Sequence, residues 1–328
     1  MTQNTTAKLS GIININKPPG ITSHDVVIRI RRLLAAYYLL PATKVGHTGT
    51  LDPFASGVLL IAIGPATRLI QFTHDWDKEY ETVFTLGATS DTDDVTGKLS
   101  KPPAVAKAMA GRQITNVKSI SKSQPSPRLW PAGKIQKTLN QFIGTIQQIP
   151  PDYSAIKIQG KKSYELARVG ESVSIKPRSV TIHDIKIISY KYPDLKLTIR
   201  CGTGTYIRAI ARDLGRLLKT GAYVSYLCRT RIGTFDISTS LNFNKLSTGT
   251  LQNTIKSPST MISHLPSLIL NDDNVAQLQK GQAVEQATDP TPNTPLSIFD
   301  QNQNLIGIAR FNPSTSLLLP KIILPPIK

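Results

Sequence analysis

Six apolar residues in a row, Val58-Leu59-Leu60-Ile61-Ala62-Ile63, read as a buried strand. The run begins five residues after Gly46-His47-Thr48-Gly49-Thr50-Leu51-Asp52-Pro53, which puts one carboxylate, one imidazole and two glycines into eight residues. The eight residues therefore form a loop that delivers side chains from a rigid strand, a frequent seat of catalytic groups. Asp-Pro and the two glycines are also ordinary turn composition, and taken alone the motif reads as a turn.

The rest of the chain sets the scale. Its 328 residues suffice for a sizeable core and about two domains. No apolar run approaches the ~18–20 residues of a membrane span. Met1 to Ser10 is polar, without the apolar stretch of a secretory signal. Cys201 and Cys228 make neither a disulfide framework nor a zinc site, and read as small buried residues in a reducing compartment. A cytoplasmic protein is expected.

Charge says more. The net charge is +18, from 39 basic and 21 acidic residues. From Leu265 onward there are four basic residues and five acidic, so all the excess lies in residues 1–264. Nine Lys or Arg and no Asp or Glu stand between Val95 and Pro151. An excess this large points to a polyanion, nucleic acid above all, with a generally soluble basic protein as the plainer reading.

Local patterns predict a strand over Gly11–Asn16, a turn at Lys17-Pro18-Pro19-Gly20, and a helix capped by Thr22 or Ser23. Further helices are expected after Gly64-Pro65, over Ile135–Phe142, over Ser163–Arg168 and from Tyr206 to about Leu218. Strands are expected at Lys78–Leu86, Ser154–Ile158, Leu195–Cys201 and Val224–Leu227. The Asp-rich stretch Gly87–Gly97 lacks the closing Glu of a calcium loop and reads as a turn whose carboxylates orient nearby basic residues. Lys98–Pro131 is a basic low-complexity insertion. Residues 265–328 read as a small β-rich unit. Gly202-Thr203-Gly204 between strand and helix lacks the third glycine of a dinucleotide fingerprint, since Ile207 stands there.

Five stretches then acquire a joint meaning: Gly11 to Ser23, Gly46 to Pro53, Ile149 to Lys157, Ser163 to Gly170, and Gly204-Thr205-Tyr206-Ile207-Arg208. In this order they resemble the bacterial tRNA pseudouridine synthase B family, strongly over residues 11–245 and weakly beyond. The resemblance implies an α/β (α+β) fold: a bent, mostly antiparallel mixed sheet flanked by helices in a catalytic domain over residues 1–264. It implies a small PUA-like RNA-binding domain over 265–328. It also implies isomerisation of uridine 55 in the tRNA T loop. No cofactor, metal or obligate protein partner is expected, and a monomer is expected because no sustained heptad or apolar surface stripe is evident. On the same resemblance Asp52 is the catalytic carboxylate, Tyr80 the active-site tyrosine and Arg208 the partner of Asp52. Leu227 lines the pocket, and His47 works beside the flipped nucleotide. The longer basic insertion and the slightly acidic tail depart from the family pattern.

The chemistry suits these residues. The reaction breaks the N1–C1′ bond, turns the uracil and rejoins it through C5, with no redox step and no energy input. Asp52 must be ionised in a site dried by the flipped base, and a guanidinium offsets the cost of burying that charge. It attacks C1′, attacks C6 or removes the C2′ proton; sequence does not choose. Flipping costs roughly a few kcal/mol, and Tyr80 stacked on uracil returns ~1–3 kcal/mol. Its hydroxyl is also a candidate general base for the C5 proton, with an ordinary strand aromatic as the plainer reading. Lys17, Arg229 and Arg231, with Arg29, Arg31 and Arg32, are phosphate-contact candidates. Competing readings are a non-catalytic tRNA-folding protein, a guide-RNA-dependent synthase and a nicotinamide enzyme.

Overall fold

The computed structural model describes residues 9–38, 43–101, 130–154, 157–158, 160–163, 175–285 and 294–325. Ten strands form one sheet. Its order is Leu241–Asn242, Gly11–Lys17, Ser56–Ile63, Ala222–Ile232, Lys78–Leu86, Asp194–Cys201, Arg178–Lys191 and Gly144–Gln148. Val45–His47 adds to Ser56–Ile63, and Phe235–Asp236 adds to Ala222–Ile232. Two of the pairings are parallel, Gly11–Lys17 with Leu241–Asn242 and Ala222–Ile232 with Ser56–Ile63. The sheet is thus mixed and mostly antiparallel, as expected.

The apolar run is the buried centre of one half. Val58 to Ile63 are fully buried. One face of the strand carries Leu59 and Ile61 against Val26, Ile30 and Leu34 of the helix Ser23–Tyr38. The other carries Val58 and Leu60 into a second cluster. The helix begins with a reciprocal cap: the Asp25 amide donates to Thr22 Oγ1, and Thr22 N–H donates to the Asp25 carboxylate. In the other half, the helix Ile207–Leu217 lays Ile207, Ile210, Ala211 and Leu214 over Phe84, Leu195 and Leu197.

The two halves meet where Ser56–Ile63 touches Ala222–Ile232 through only two registered pairs, Cys228 with Ser56 and Arg229 with Gly57. Gly57 has φ +107°, and a Cβ there would collide with the Arg229 backbone. This close approach delivers the loop before the strand to the centre of the sheet.

The C-terminal five-stranded sheet runs Ser267–Ile269, Pro295–Phe299, Leu305–Asn312, Leu317–Ile323 and Val284–Glu285 in spatial order. It holds its own cluster around Leu278, Leu296, Ile298 and Leu318. It also shares a core with the large sheet, because Leu305, Ile308 and Ile322 pack with Ile12, Val58 and Leu60.

Some local expectations change. Gly64–Thr73 is a 3-10 helix, entered through Pro65. Within the expected 154–158 strand, Lys157–Ile158 is extended and pairs with Lys161–Lys162, Ser154 sits in a bend, and residues 155 and 156 lie outside the described residues. A short helix Ala132–Leu139 continues into a 3-10 turn Asn140–Phe142. The helix expected over Ser163–Arg168 lies outside the described residues beyond Ser163, as does most of the 98–131 insertion; Leu99–Ser100 pairs with Thr89–Ser90, and Trp130 is buried. No described helix is long and apolar enough to cross a membrane.

Candidate active site

The Gly46–Pro53 loop is fixed by its backbone. Ser23 Oγ accepts from the Leu51 amide at 2.9 Å and donates to the Leu51 carbonyl at 3.0 Å. Gly20 N–H donates to Pro53 O at 2.8 Å, and Thr48 N–H to Leu60 O at 3.0 Å. Two buried cations complete the bracing. The Arg229 guanidinium donates to the carbonyls of Val58, Thr50 and Gly49. The Lys17 ammonium donates to Pro18, Ile21 and Pro53 carbonyls. Burial lowers the Lys17 pKa to about 8, against the opposing pull of Asp52. A loop of two glycines is mobile unless its carbonyls are held, and here each end has a donor.

Asp52 projects from this frame toward Arg208, the second residue of the helix Ile207–Leu217. Arg208 Nε donates to Asp52 Oδ2 at 2.9 Å and Nη2 to Oδ1 at 3.2 Å, a two-pronged contact. The remaining donors reach Thr92 O at 2.9 Å, Tyr153 O at 3.0 Å and Asp94 Oδ2 at 3.3 Å. The guanidinium is 5% exposed, whereas the Asp52 side chain is 31% exposed. The cation is therefore spent inward and the carboxylate keeps one side open.

Helix entry at Arg208 is set by Gln148. Tyr206 occupies the cap position without a side-chain cap of its own. Gln148 supplies the missing partner, accepting from Tyr206 N at 2.8 Å and donating to Tyr206 O at 3.1 Å.

Tyr80, Leu227 and Leu51 belong to one buried cluster beside the carboxylate. Tyr80 pairs across the sheet with Arg229, and burial pushes its hydroxyl pKa up, so it is a neutral phenol at pH 7. His47 ends the short strand Val45–His47, near Arg229. Burial first, then Arg229 and His24, hold its pKa down, which leaves a neutral imidazole. The structure thus joins Arg208 to Asp52, sets Tyr80 and Leu227 in the same buried cluster as Leu51 next to it in the chain, and leaves His47 near Arg229.

The phosphate-contact group divides. Lys17 and Arg229 are 0% and 2% exposed, and their charges are turned onto backbone carbonyls. They brace the loop and do not fit a phosphate-contact role, a correction that strand alternation could not supply because a bulge between Arg229 and Arg231 resets the register. Arg231 is half exposed and paired with Asp236 at 3.0 Å. Arg29, Arg31 and Arg32 lie on the exposed face of the first helix, Arg31 donating to Val45 O.

Three contributors escaped the sequence: Asp94, Gln148 and the Tyr153 carbonyl. The Asp-rich turn was legible only as a group. Its Asp94 faces Arg208 and its Asp93 faces Arg212 at 3.1 Å, as a turn that orients basic residues should. A buried glutamine acting as a helix cap leaves no sequence signature.

Comparison with known proteins follows the same lines. Residues 38–128 and 113–207 match the TruB family pseudouridylate synthase N-terminal domain, and residues 266–322 match the pseudouridine synthase II TruB C-terminal domain. A tRNA pseudouridine synthase B from Caldanaerobacter subterraneus subsp. tengcongensis is 37% identical over 301 residues, 92% of this chain and 94% of the relative. One from Trichormus variabilis is 36% identical over 327 residues, 97% of this chain and 100% of the relative. Among solved structures, a chain of an H/ACA RNP bound to a substrate RNA containing 2′-deoxyuridine superposes with TM-score 0.66 at 21% identity, covering 99% of this chain and 88% of its own. A chain of the archaeal box H/ACA sRNP Nop10-Cbf5 complex gives 0.65 at 22%, covering 100% and 90%. These two speak to the fold.

Proposed function

The chain belongs to the TruB family of pseudouridylate synthases, and on that premise we propose that it isomerises uridine 55 in the T loop of tRNA to pseudouridine, with Asp52 as the essential carboxylate. As a tRNA pseudouridine synthase it is an isomerase. The observation that carries the finer reading is the Arg208–Asp52 fork at 2.9 and 3.2 Å, with the arginine buried and the carboxylate open on one side.

Several features of the site support this reading. Arg208 opposes the cost of drying Asp52 when a base enters. The fork leaves its open edge for the ribose or the base. Tyr80 and Leu227 give the turning uracil an apolar wall, and ring stacking offsets part of the flipping cost. During turnover the N1–C1′ bond breaks, a C1′–C5 bond forms, the C5 proton leaves and N1 gains a proton. His47, neutral near the loop, is suited to fill the gap left by the flipped nucleotide. The basic excess of residues 1–264 supplies the salt-sensitive attraction to tRNA.

The test is tritium release from unmodified tRNA transcript labelled at uridine C5, with purified protein and no added cofactor. One equivalent per tRNA is expected, lost when the T-loop uridine is replaced by cytidine. Tight binding without release would instead support the tRNA-folding or guide-dependent readings.

A further inference from the structure

Arg208 is not the only arginine that grips the Asp-rich turn. One helical turn on, Arg212 donates through Nη1 to Asp93 Oδ2 at 3.1 Å and through Nη2 to Ile149 O at 2.7 Å. Its Nε and Nη2 also hold Asp213, at 3.0 and 3.2 Å. The two arginines thus clamp the same two segments. Arg208 takes Thr92 O, Asp94 and Tyr153 O; Arg212 takes Asp93 and Ile149 O. Neither member of the Arg212–Asp93 pair touches Asp52 or the open edge beside it, and both side chains are nearly buried, 12% and 13% exposed.

Asp93 is held in an unusual way. Its φ is +62°, left-handed for a residue with a Cβ, and its carbonyl accepts from the Val224 amide at 3.0 Å. The residue is the pivot of the turn: the backbone is pinned to the sheet, the side chain to the helix. On either side of it, Thr92 and Asp94 supply the contacts that orient the Arg208 guanidinium.

We propose that Arg212 and Asp93 are positioning residues for turnover: their ion pair seats the Asp-rich turn on Arg208 and so sets the angle at which Arg208 presents Asp52. The inference rests on the isomerase reading above. Of the groups that face Asp93, the helix contributes Arg212, Arg208, Arg216 and Asp213. The turn contributes Asp94, committed to Arg208, and the strand Ala222–Ile232 contributes the Val224 amide. Burial outweighs the three arginines and raises the Asp93 pKa to about 6. Below that pH the carboxyl is neutral and Arg212 keeps its charged contact with Asp213 but loses the one to the turn, so the seat loosens in mildly acid solution.

The sign for stability is opposite to the sign for activity. The folded value, about 6, lies above the ordinary carboxylate value of 3.8, so the folded chain binds more protons between the two. The stability this group contributes is complete below about 3.8 and is lost as pH rises through about 6. At neutral pH the ionised Asp93 is retained against stability, and Asp93→Asn removes that cost while keeping the shape and the tolerance of positive φ.

The experiment measures single-turnover tritium release at saturating enzyme between about pH 5.5 and 8 for wild type, Asp93→Asn, Arg212→Gln and the double variant. Thermal melting and tRNA binding are measured alongside. Wild type should show a rate step near pH 6. Asp93→Asn should be about tenfold slower at pH 7.5, as expected for misplaced catalytic groups, with that step gone and tRNA affinity unchanged. It should melt no lower than wild type, and the double variant should be no slower than Asp93→Asn. A wild-type rate and step in Asp93→Asn, additive losses in the double variant, or an Asp93→Asn chain that is slow only because it unfolds would each overturn the positioning role. Absence of release by the wild type itself would overturn the isomerase reading, and this inference with it.

Discussion

Asp52 and Arg208, 156 residues apart in sequence, are joined by two hydrogen bonds from one guanidinium, Nε to Oδ2 and Nη2 to Oδ1. The asymmetry of the pair is its functional content. Every remaining Arg208 donor is turned into the protein, onto Thr92, Asp94 and Tyr153, so the arginine is a fixture and Asp52 is the accessible partner. Two carboxylates share one buried cation, which fixes its plane as well as its charge.

Arg208→Lys keeps the charge and removes the fork. A lysine ammonium cannot reach both oxygens of Asp52 together with two carbonyls. Breaking this mostly buried cluster should lower stability by about 3 kcal/mol. On protein that is still folded, the single-turnover rate should fall about 100-fold with little change in tRNA affinity. A lysine variant at near wild-type rate would mean that charge alone suffices.

Lys17→Met tests the bracing of the loop. The Pro18 and Ile21 carbonyls lose their ammonium donor, at a cost of about 1–3 kcal/mol. The folded Lys17 pKa, about 8, lies below the ordinary lysine value of 10.5, so the unfolded chain binds more protons between them. The wild-type contribution of this group should therefore grow as pH rises through that range. Denaturant melts should show a wild-type minus variant difference that is larger at pH 9.5 than at pH 7.5. A difference independent of pH would contradict the buried ammonium.

Tyr80→Phe separates ring from hydroxyl. The phenylalanine retains the stacking surface, so tRNA affinity should change less than about threefold. Loss of a group that handles the C5 proton should slow turnover by about 100-fold. Because burial raises the hydroxyl pKa, no acceleration from free phenolate is expected between pH 7 and 8. Unchanged turnover in Tyr80→Phe would confine the residue to stacking.

What the sequence makes legible follows from how local each signal is. The Val58–Ile63 run, the helix cap at Thr22 and the strand Lys78–Leu86 are read from neighbours in the chain, and the structure has them in place. The roles of Lys17 and Arg229 were not legible. A basic residue on a strand announces its charge and not its direction, and here both charges point inward onto carbonyls. Asp94 and Gln148 depend on contacts across the fold, to Arg208 and Tyr206, that no spacing encodes. Within the 3-10 helix Gly64–Thr73, Ala66 and Leu69 pack with Leu305, Ile308 and Ile322 of the C-terminal sheet, contacts that local propensity does not contain.

The most direct measurement is tritium release by Asp52→Asn at saturating enzyme, beside filter binding of the same transcript. Asparagine preserves size and one acceptor oxygen for Arg208, while removing the charge and the second prong of the fork. If Asp52 is the essential carboxylate, tRNA binds as before and release stays at background over many wild-type half-times. Release at more than a trace of the wild-type rate, on folded protein, would contradict it.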